Sequence, residues 1–208
     1  MMQIKCLTVG PLLANCYLVW CEETKEAVVI DPGAEGEKIV SEIEKEHLRV
    51  KYIINTHGHV DHISANREVK NRTGAKILIH ADDAPLLTNP QLNLSSYLGA
   101  PVTGPPPDVL LCEGEEIEIG NNLKLEVIHT PGHTRGGICL LADKVVFTGD
   151  TLFAGSVGRT DFPGGSYTEL LDSIKKKILT LGDDYVIYPG HGPASTVGEE
   201  RRNNPFLF

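Results

Sequence analysis

Two β-rich halves, each with its own helices, predict an α/β fold in which two sheets pack face to face with helices outside. Short β-branched and apolar runs bounded by turn residues recur in both halves, and stretches of helical periodicity lie between them. No low-complexity segment or short-period repeat interrupts the pattern. With 208 residues and 41% apolar content, the chain can bury a sizeable core as one domain spanning residues 1–208.

The first half opens as a strand meander at residues 4–9, 16–20 and 27–30, separated by turns such as Gly10-Pro11. Residues 35–47 then set Ile39, Ile43 and His47 on one face among Glu and Lys, the pattern of an amphipathic helix. A buried-looking strand at 50–54 runs into Thr56-His57-Gly58-His59-Val60-Asp61-His62. A helical stretch to about residue 73, a strand at 76–79 and a short helix at 81–87 follow. Residues 88–108 hold five prolines and read as a long surface excursion, of the kind that is functional or mobile. The second half predicts strands at 116–119, 123–128, 138–141, 145–147 and 185–188. Ser166 and Glu169 form a capping box for a helix with Leu170, Leu171, Ile174 and Ile178 on its apolar face.

The formal charge of −9 leaves no Lys/Arg stripe to neutralise phosphates, which argues against a nucleic-acid surface and disfavours anionic membranes. The N-terminal segment has the character of neither a signal peptide nor a transmembrane helix, so a cytoplasmic location is expected. Five cysteines without a C-x-x-C spacing indicate no disulfide framework and no Cys-rich metal site; most are expected to be small buried hydrophobes.

The chemistry concentrates where strands give way to loops. His57, His59, Asp61 and His62 share one turn, His133 lies in Thr-Pro-Gly-His, Asp150 in Thr-Gly-Asp, and His191 in Pro-Gly-His-Gly. Divalent metals need several imidazoles and carboxylates converging from fixed backbone. In an extended segment, residues two apart face one side, so His57 and His59 can grip one ion together while Asp61 and His62 face a neighbour. An isolated histidine is usually an ordinary polar or packing residue. Five of the eight falling in Gly-punctuated loops beside two aspartates point instead to a metal cage. Of the others, His47 is assigned to a helix end and His80 to a strand end. His129 either orients a ligand or packs, with packing preferred, and Asp31 either hydrogen-bonds a ligand or forms a plain Asp-Pro-Gly turn.

These strings, together with Ile30-Asp31-Pro32-Gly33 and the segment Gly158-Arg159-Thr160-Asp161-Phe162-Pro163-Gly164-Gly165, resemble the metallo-β-lactamase superfamily, and within it the short glyoxalase II-like hydrolases. The resemblance spans nearly the whole chain. It implies a four-layer αββα sandwich, the metallo-β-lactamase fold, with two divalent ions at one edge: zinc first, iron or manganese as alternatives. His57, His59 and His133 would hold one ion, Asp61, His62 and His191 the other, and Asp150 would bridge them. Classical glyoxalase II enzymes add a C-terminal helical domain that helps bind glutathione, and none is expected here. Arg159 is similar to a family lysine that contacts glutathione, whereas Asp161 and Pro193 stand where tyrosines would.

The implied reaction is hydrolysis of a small thioester, such as S-lactoylglutathione or a related acyl-thioester, by a metal-bound hydroxide. Asp61 and Asp150 are the candidate catalytic carboxylates, Asp61 also as a proton shuttle. A thiol with a pKa near 8.5 leaves as the thiolate without a strong general acid, whereas an amide nitrogen would need one. Arg159 is read either as a clamp for a substrate carboxylate or as a partner of Asp161. The alternative reading is a persulfide dioxygenase-like oxidoreductase of the same fold with one iron. No nucleic-acid or membrane partner is expected, and the protein would be a monomer or homodimer. The apolar tail at residues 206–208 packs on the core or on a second subunit, the former being preferred.

Overall fold

Strands that are apolar on both faces must be covered on both faces, and this requirement sets the layering. The computed structural model describes residues 1–121 and 123–208. The first sheet runs in chain order through β1 (Met2–Val9), β2 (Ala14–Cys21), β3 (Glu26–Ile30), β4 (Arg49–Ile54), β5 (Lys76–His80) and β6 (Val109–Leu111). Its first three strands pair antiparallel and its last four parallel. The second sheet uses β7 (Glu116–Ile119), β8 (Leu123–His129), β9 (Ile138–Ala142) and β10 (Val145–Gly149). A small hairpin follows, β11 (Leu152–Phe153) with β12 (Ser156–Val157), before β13 (Val186–Pro189) and β14 (Ser195–Thr196) complete that sheet in the order β14-β13-β10-β9-β8-β7.

Strand β2 shows how sequence becomes layer. All eight of its residues are buried, and alternate side chains leave on opposite faces. Leu18 and Trp20 pack with Ile39 and Ile43 of α1 (Gly36–Lys45), and the same cluster takes in Ile63 of the single-turn α2 (Val60–Ile63) and Val69 of α3 (Asn66–Thr73). Tyr17 and Val19 meet Leu125, Leu140 and Phe147 of the second sheet. A third cluster joins Cys139, Val146 and Ile187 to Leu170 of α4 (Tyr167–Ser173) and Val197 of α5 (Val197–Asn203). Three buried interfaces make four layers, the αββα sandwich.

Several elements depart from the sequence expectation. Helix α1 stops at Lys45, and His47 lies beyond it in a left-handed conformation (φ 55°), so it does not extend the apolar face. Residues 81–87 form a 3₁₀ helix, and the Pro-rich excursion contains one 3₁₀ turn, Ser95–Tyr97. Only half of the predicted capping box forms: Ser166 Oγ accepts from Glu169 N, but Ser166 N donates to Gly132 O at 2.7 Å. That bond ties the start of α4 to the loop of His133. Strands β6 and β14, the β11–β12 hairpin and α5 were not anticipated.

All five cysteines are free, with Cys16, Cys21 and Cys139 buried and Cys6 and Cys112 exposed. Of the tail, Leu207 packs into the third cluster while Phe206 and Phe208 stay exposed. No helix among the described residues is long and apolar enough to cross a membrane.

Candidate metal centre

The site forms where β3, β4, β8, β10 and β13 end, because each of these strands hands its chain to a short loop bearing Asp or His. Close backbone approach keeps the loops together. A Cβ on Gly190 would lie 2.3 Å from Asp150 Oδ1, and one on Gly33 would lie 1.6 Å from Asp61 O, so neither position accepts a side chain. The two sheets are also stitched at this end. Asn15 Nδ2 donates to Pro189 O (3.0 Å) and Gly192 O (2.9 Å), and Tyr17 Oη donates to Pro189 O (2.6 Å). Burial pushes the Tyr17 phenol well up, so it remains a neutral donor.

Six of the predicted residues gather into two groups whose donor atoms lie within 4.8 Å of one another: His57, His59 and His133, then Asp61, His62 and His191. Nitrogens face each other inside both, with His59 Nδ1 2.9 Å from His133 Nε2 and His62 Nε2 3.3 Å from His191 Nε2. Asp150 stands between the groups. Its oxygens lie 3.5 Å from His133 Nε2, 3.4 Å from His62 Nε2 and 3.7 Å from His191 Nε2. His57 Nε2 and Asp150 Oδ1 are buried and have no hydrogen-bond partner among the described residues. Such orphaned atoms are costly unless a cation completes them. This donor set therefore fits two divalent ions.

Electrostatics divides the two groups. Burial and the neighbouring imidazoles hold His57 well below the ordinary histidine range and His59 down to about 3. Burial opposes the charge on His62 too, but Asp150, Asp61 and Asp31 overcome it and raise it to about 10. His191 is raised by its hydrogen bond to Asp61 and by Asp150, against burial. Asp61 falls well below the carboxylate range because His62 and His191 outweigh burial.

Outside the donor set, Asp31 resolves in favour of a supporting role. Its carboxylate accepts from Thr56 N (2.7 Å) and Thr56 Oγ1 (2.6 Å) and lies 3.0 Å from His62 Nδ1, which aims His62 Nε2 into the site. His133 Nδ1 donates to Arg159 O at 2.6 Å, with the same result for that ring. His129 stacks on His80 with centroids 4.0 Å apart and donates from Nε2 to Arg135 O, so it packs away from the donor cluster. Arg159 forms a two-bond fork with Asp161 (3.0 and 2.7 Å), lies 4.3 Å over the Phe162 ring and lines the cavity above the donors.

Sequence reading missed Asp83. This buried carboxylate accepts from Gly58 N (2.9 Å) and Gly136 N (2.7 Å), pinning the His57–His59 loop to the His133 loop. Only its place second in an Asp-Asp pair at the start of a helix marked it. Also missed was Leu12, which brings the β1–β2 turn to the cavity wall.

Residues 9–191 match the metallo-beta-lactamase superfamily. The chain belongs to that superfamily. It is 39% identical to the hydroxyacylglutathione hydrolase GloC of Haemophilus influenzae, over 99% of this chain and 98% of the relative. Among solved structures, the BLEG-1 B3 metallo-beta-lactamase superposes with a TM-score of 0.94 at 39% identity, covering 99% of both chains. TTHA1623 in a di-iron-bound form gives 0.88 at 36% identity, over 98% of this chain and all of the other. ETHE1 from Myxococcus xanthus gives 0.81 at 30%, over 98% and 83%.

Proposed function

We propose that this metallo-hydrolase is a dinuclear, glyoxalase II-like thioesterase. The observation that carries the reading is the convergence of seven donors into two pockets that share Asp150. His57, His59 and His133 would hold one ion, Asp61, His62 and His191 the other, and Asp150 would touch both. When bound, the two cations supply an acidified water and a Lewis acid for an acyl carbonyl.

The chain's own residues do the rest. Asp31 and the Arg159 carbonyl fix the tautomers of His62 and His133, so that Nε2 of each faces the reacting centre. Apart from Asp61 and Asp150, no carboxylate lines the cavity among the described residues, and no lysine or cysteine does. A leaving group that departs unprotonated suits such a site, which supports a thioester over an amide. The likeness to a hydroxyacylglutathione hydrolase supports the same class.

Zinc is the expected occupant, and the di-iron form of TTHA1623 supports iron as its competitor. The single-iron oxidoreductase reading needs only two histidines and one aspartate and leaves four of the seven gathered donors without a purpose. The test is metal-quantified protein assayed against thioesters including lactoylglutathione, a β-lactam and a persulfide with oxygen uptake, with His57→Ala as control. Thioester hydrolysis that falls with His57→Ala is expected. Undiminished thioesterase activity in that variant, or one iron with sulfur-dependent oxygen uptake, overturns the proposal.

A further inference from the structure

The donor cluster opens into a cavity of about 750 Å³. Once the donors are set aside, its wall is largely apolar: Leu12 from the β1–β2 turn, Leu94, Tyr97 and Leu98 from the Pro-rich excursion, Phe153 from the β11–β12 hairpin and Phe162 beyond it. Three of these side chains are held out in solvent, with Leu12 49%, Leu98 60% and Tyr97 74% exposed. Large apolar groups exposed together around a catalytic cavity mark a surface that something apolar covers.

Charge in the wall is sparse. Arg159 is the one charged wall residue outside the donor set among the described residues, and it is shared with the exposed Asp161. Asn93 is also committed, donating from its amide to Leu86 O and Val102 O. A glutathione carrier brings two carboxylates and an ammonium, and nothing in this wall is free to pair with all three.

We infer that, within the thioesterase reading on which this rests, the preferred substrate is a thioester with an extended apolar arm on a neutral carrier. The arm lies along Leu12, Leu94, Leu98 and Phe162, and its carbonyl sits over the donors. Each methylene buried there contributes about 0.8 kcal/mol, roughly a fourfold gain in affinity or in kcat/KM.

The experiment uses the full, metal-loaded chain. Acetyl to octanoyl thioesters of N-acetylcysteamine and of glutathione are compared by kcat/KM, with a second series that lengthens an alkyl thiol on a fixed acetyl group. Non-hydrolysable S-alkyl N-acetylcysteamine thioethers are titrated by calorimetry in parallel. The expected result is a kcat/KM that climbs several-fold per methylene in one of the two series, whose identity assigns the arm to the acyl or the thiol side. The neutral carrier should match or exceed glutathione at equal acyl length. Leu98→Ala and Tyr97→Ala should flatten the slope, and Leu98→Met should restore it.

A flat length dependence, or a glutathione preference above tenfold, overturns the inference. Should no thioester be turned over, the thioethers still decide. A Kd that tightens with length upholds the apolar wall and leaves the hydrolytic reading to fall alone, whereas a Kd independent of length removes the wall's role.

Discussion

His57 and His62 have ring centroids 4.2 Å apart, yet their surroundings push them in opposite directions. Around His57 burial is joined by other imidazoles, and the ring stays neutral. Around His62 three carboxylates outweigh the same burial. The first pocket thus offers lone pairs ready for a cation, while in the second His62 favours its proton, which a cation must displace. Both pockets are rich in histidine, three in the first and two in the second; the placement of Asp31, Asp61 and Asp150 is what drives their imidazoles apart.

Removing what the pockets share should have the largest effect. Asp150→Asn is expected to lower hydrolysis by roughly a factor of 10³ or more and to disturb both ions, read by kinetics and metal analysis together. Retention of two tightly held metals would break the view of Asp150 as the shared residue. His191→Ala should act on one side only, leaving about one equivalent of metal per chain. Loss of both ions on mild dialysis would show that the pockets cannot fill separately.

The supporting carboxylates sharpen the contrast at the next level. Asp31→Asn weakens the hold on His62 and should cost the second pocket about 10–100-fold in metal affinity, whereas Asp83→Asn should weigh on the His57–His133 side by a similar factor. Equal losses at both pockets from either variant would contradict the division. A pH series probes the same difference. Displacing a proton from a histidine whose pKa is raised makes binding tighten as pH rises, by about tenfold per unit for each proton released. Between pH 6 and 8 the second pocket, with His62 at about 10, should follow that slope, while His57 and His59 carry no proton to lose. Buffers of different ionisation enthalpy would reveal the proton release by calorimetry. The smallest effect belongs to Arg159→Ala, a few-fold at most on a neutral thioester, because its partner is an exposed aspartate.

Much of this was legible in the sequence, for a local reason. The candidate donors come in short Gly-marked strings, so residue type and spacing sufficed to single out the seven side chains that the structure brings together. Layering was equally readable, from two β-rich halves that each carry their own helices. What escaped depends on distant contacts. Asp83 and Asp82 look alike in sequence, and only the approach of Gly58 and Gly136 distinguishes them. Helix α5 hid because Glu-Glu-Arg-Arg carries no apolar stripe, although Thr196 accepting from Glu199 N is the cap that could have announced it. Its buried Glu200 accepts from Gly155 N and Asn204 Nδ2, and Asn204 in turn donates to Ser156 O, which fixes the hairpin bearing Phe153.

The turn at Leu12, the excursion at 88–108 and the stretch from Phe153 to Pro163 shape the cavity wall but contribute none of the seven donors. Under the proposed function, reactivity and selectivity would be written largely in separate segments of the chain. Apolar side chains such as Leu12, Leu94 and Leu98 can change at the rim while the cage stands, but Gly158, where a Cβ would lie 1.8 Å from Asp150 O, and the Arg159 carbonyl that holds His133 tie the two together at one edge.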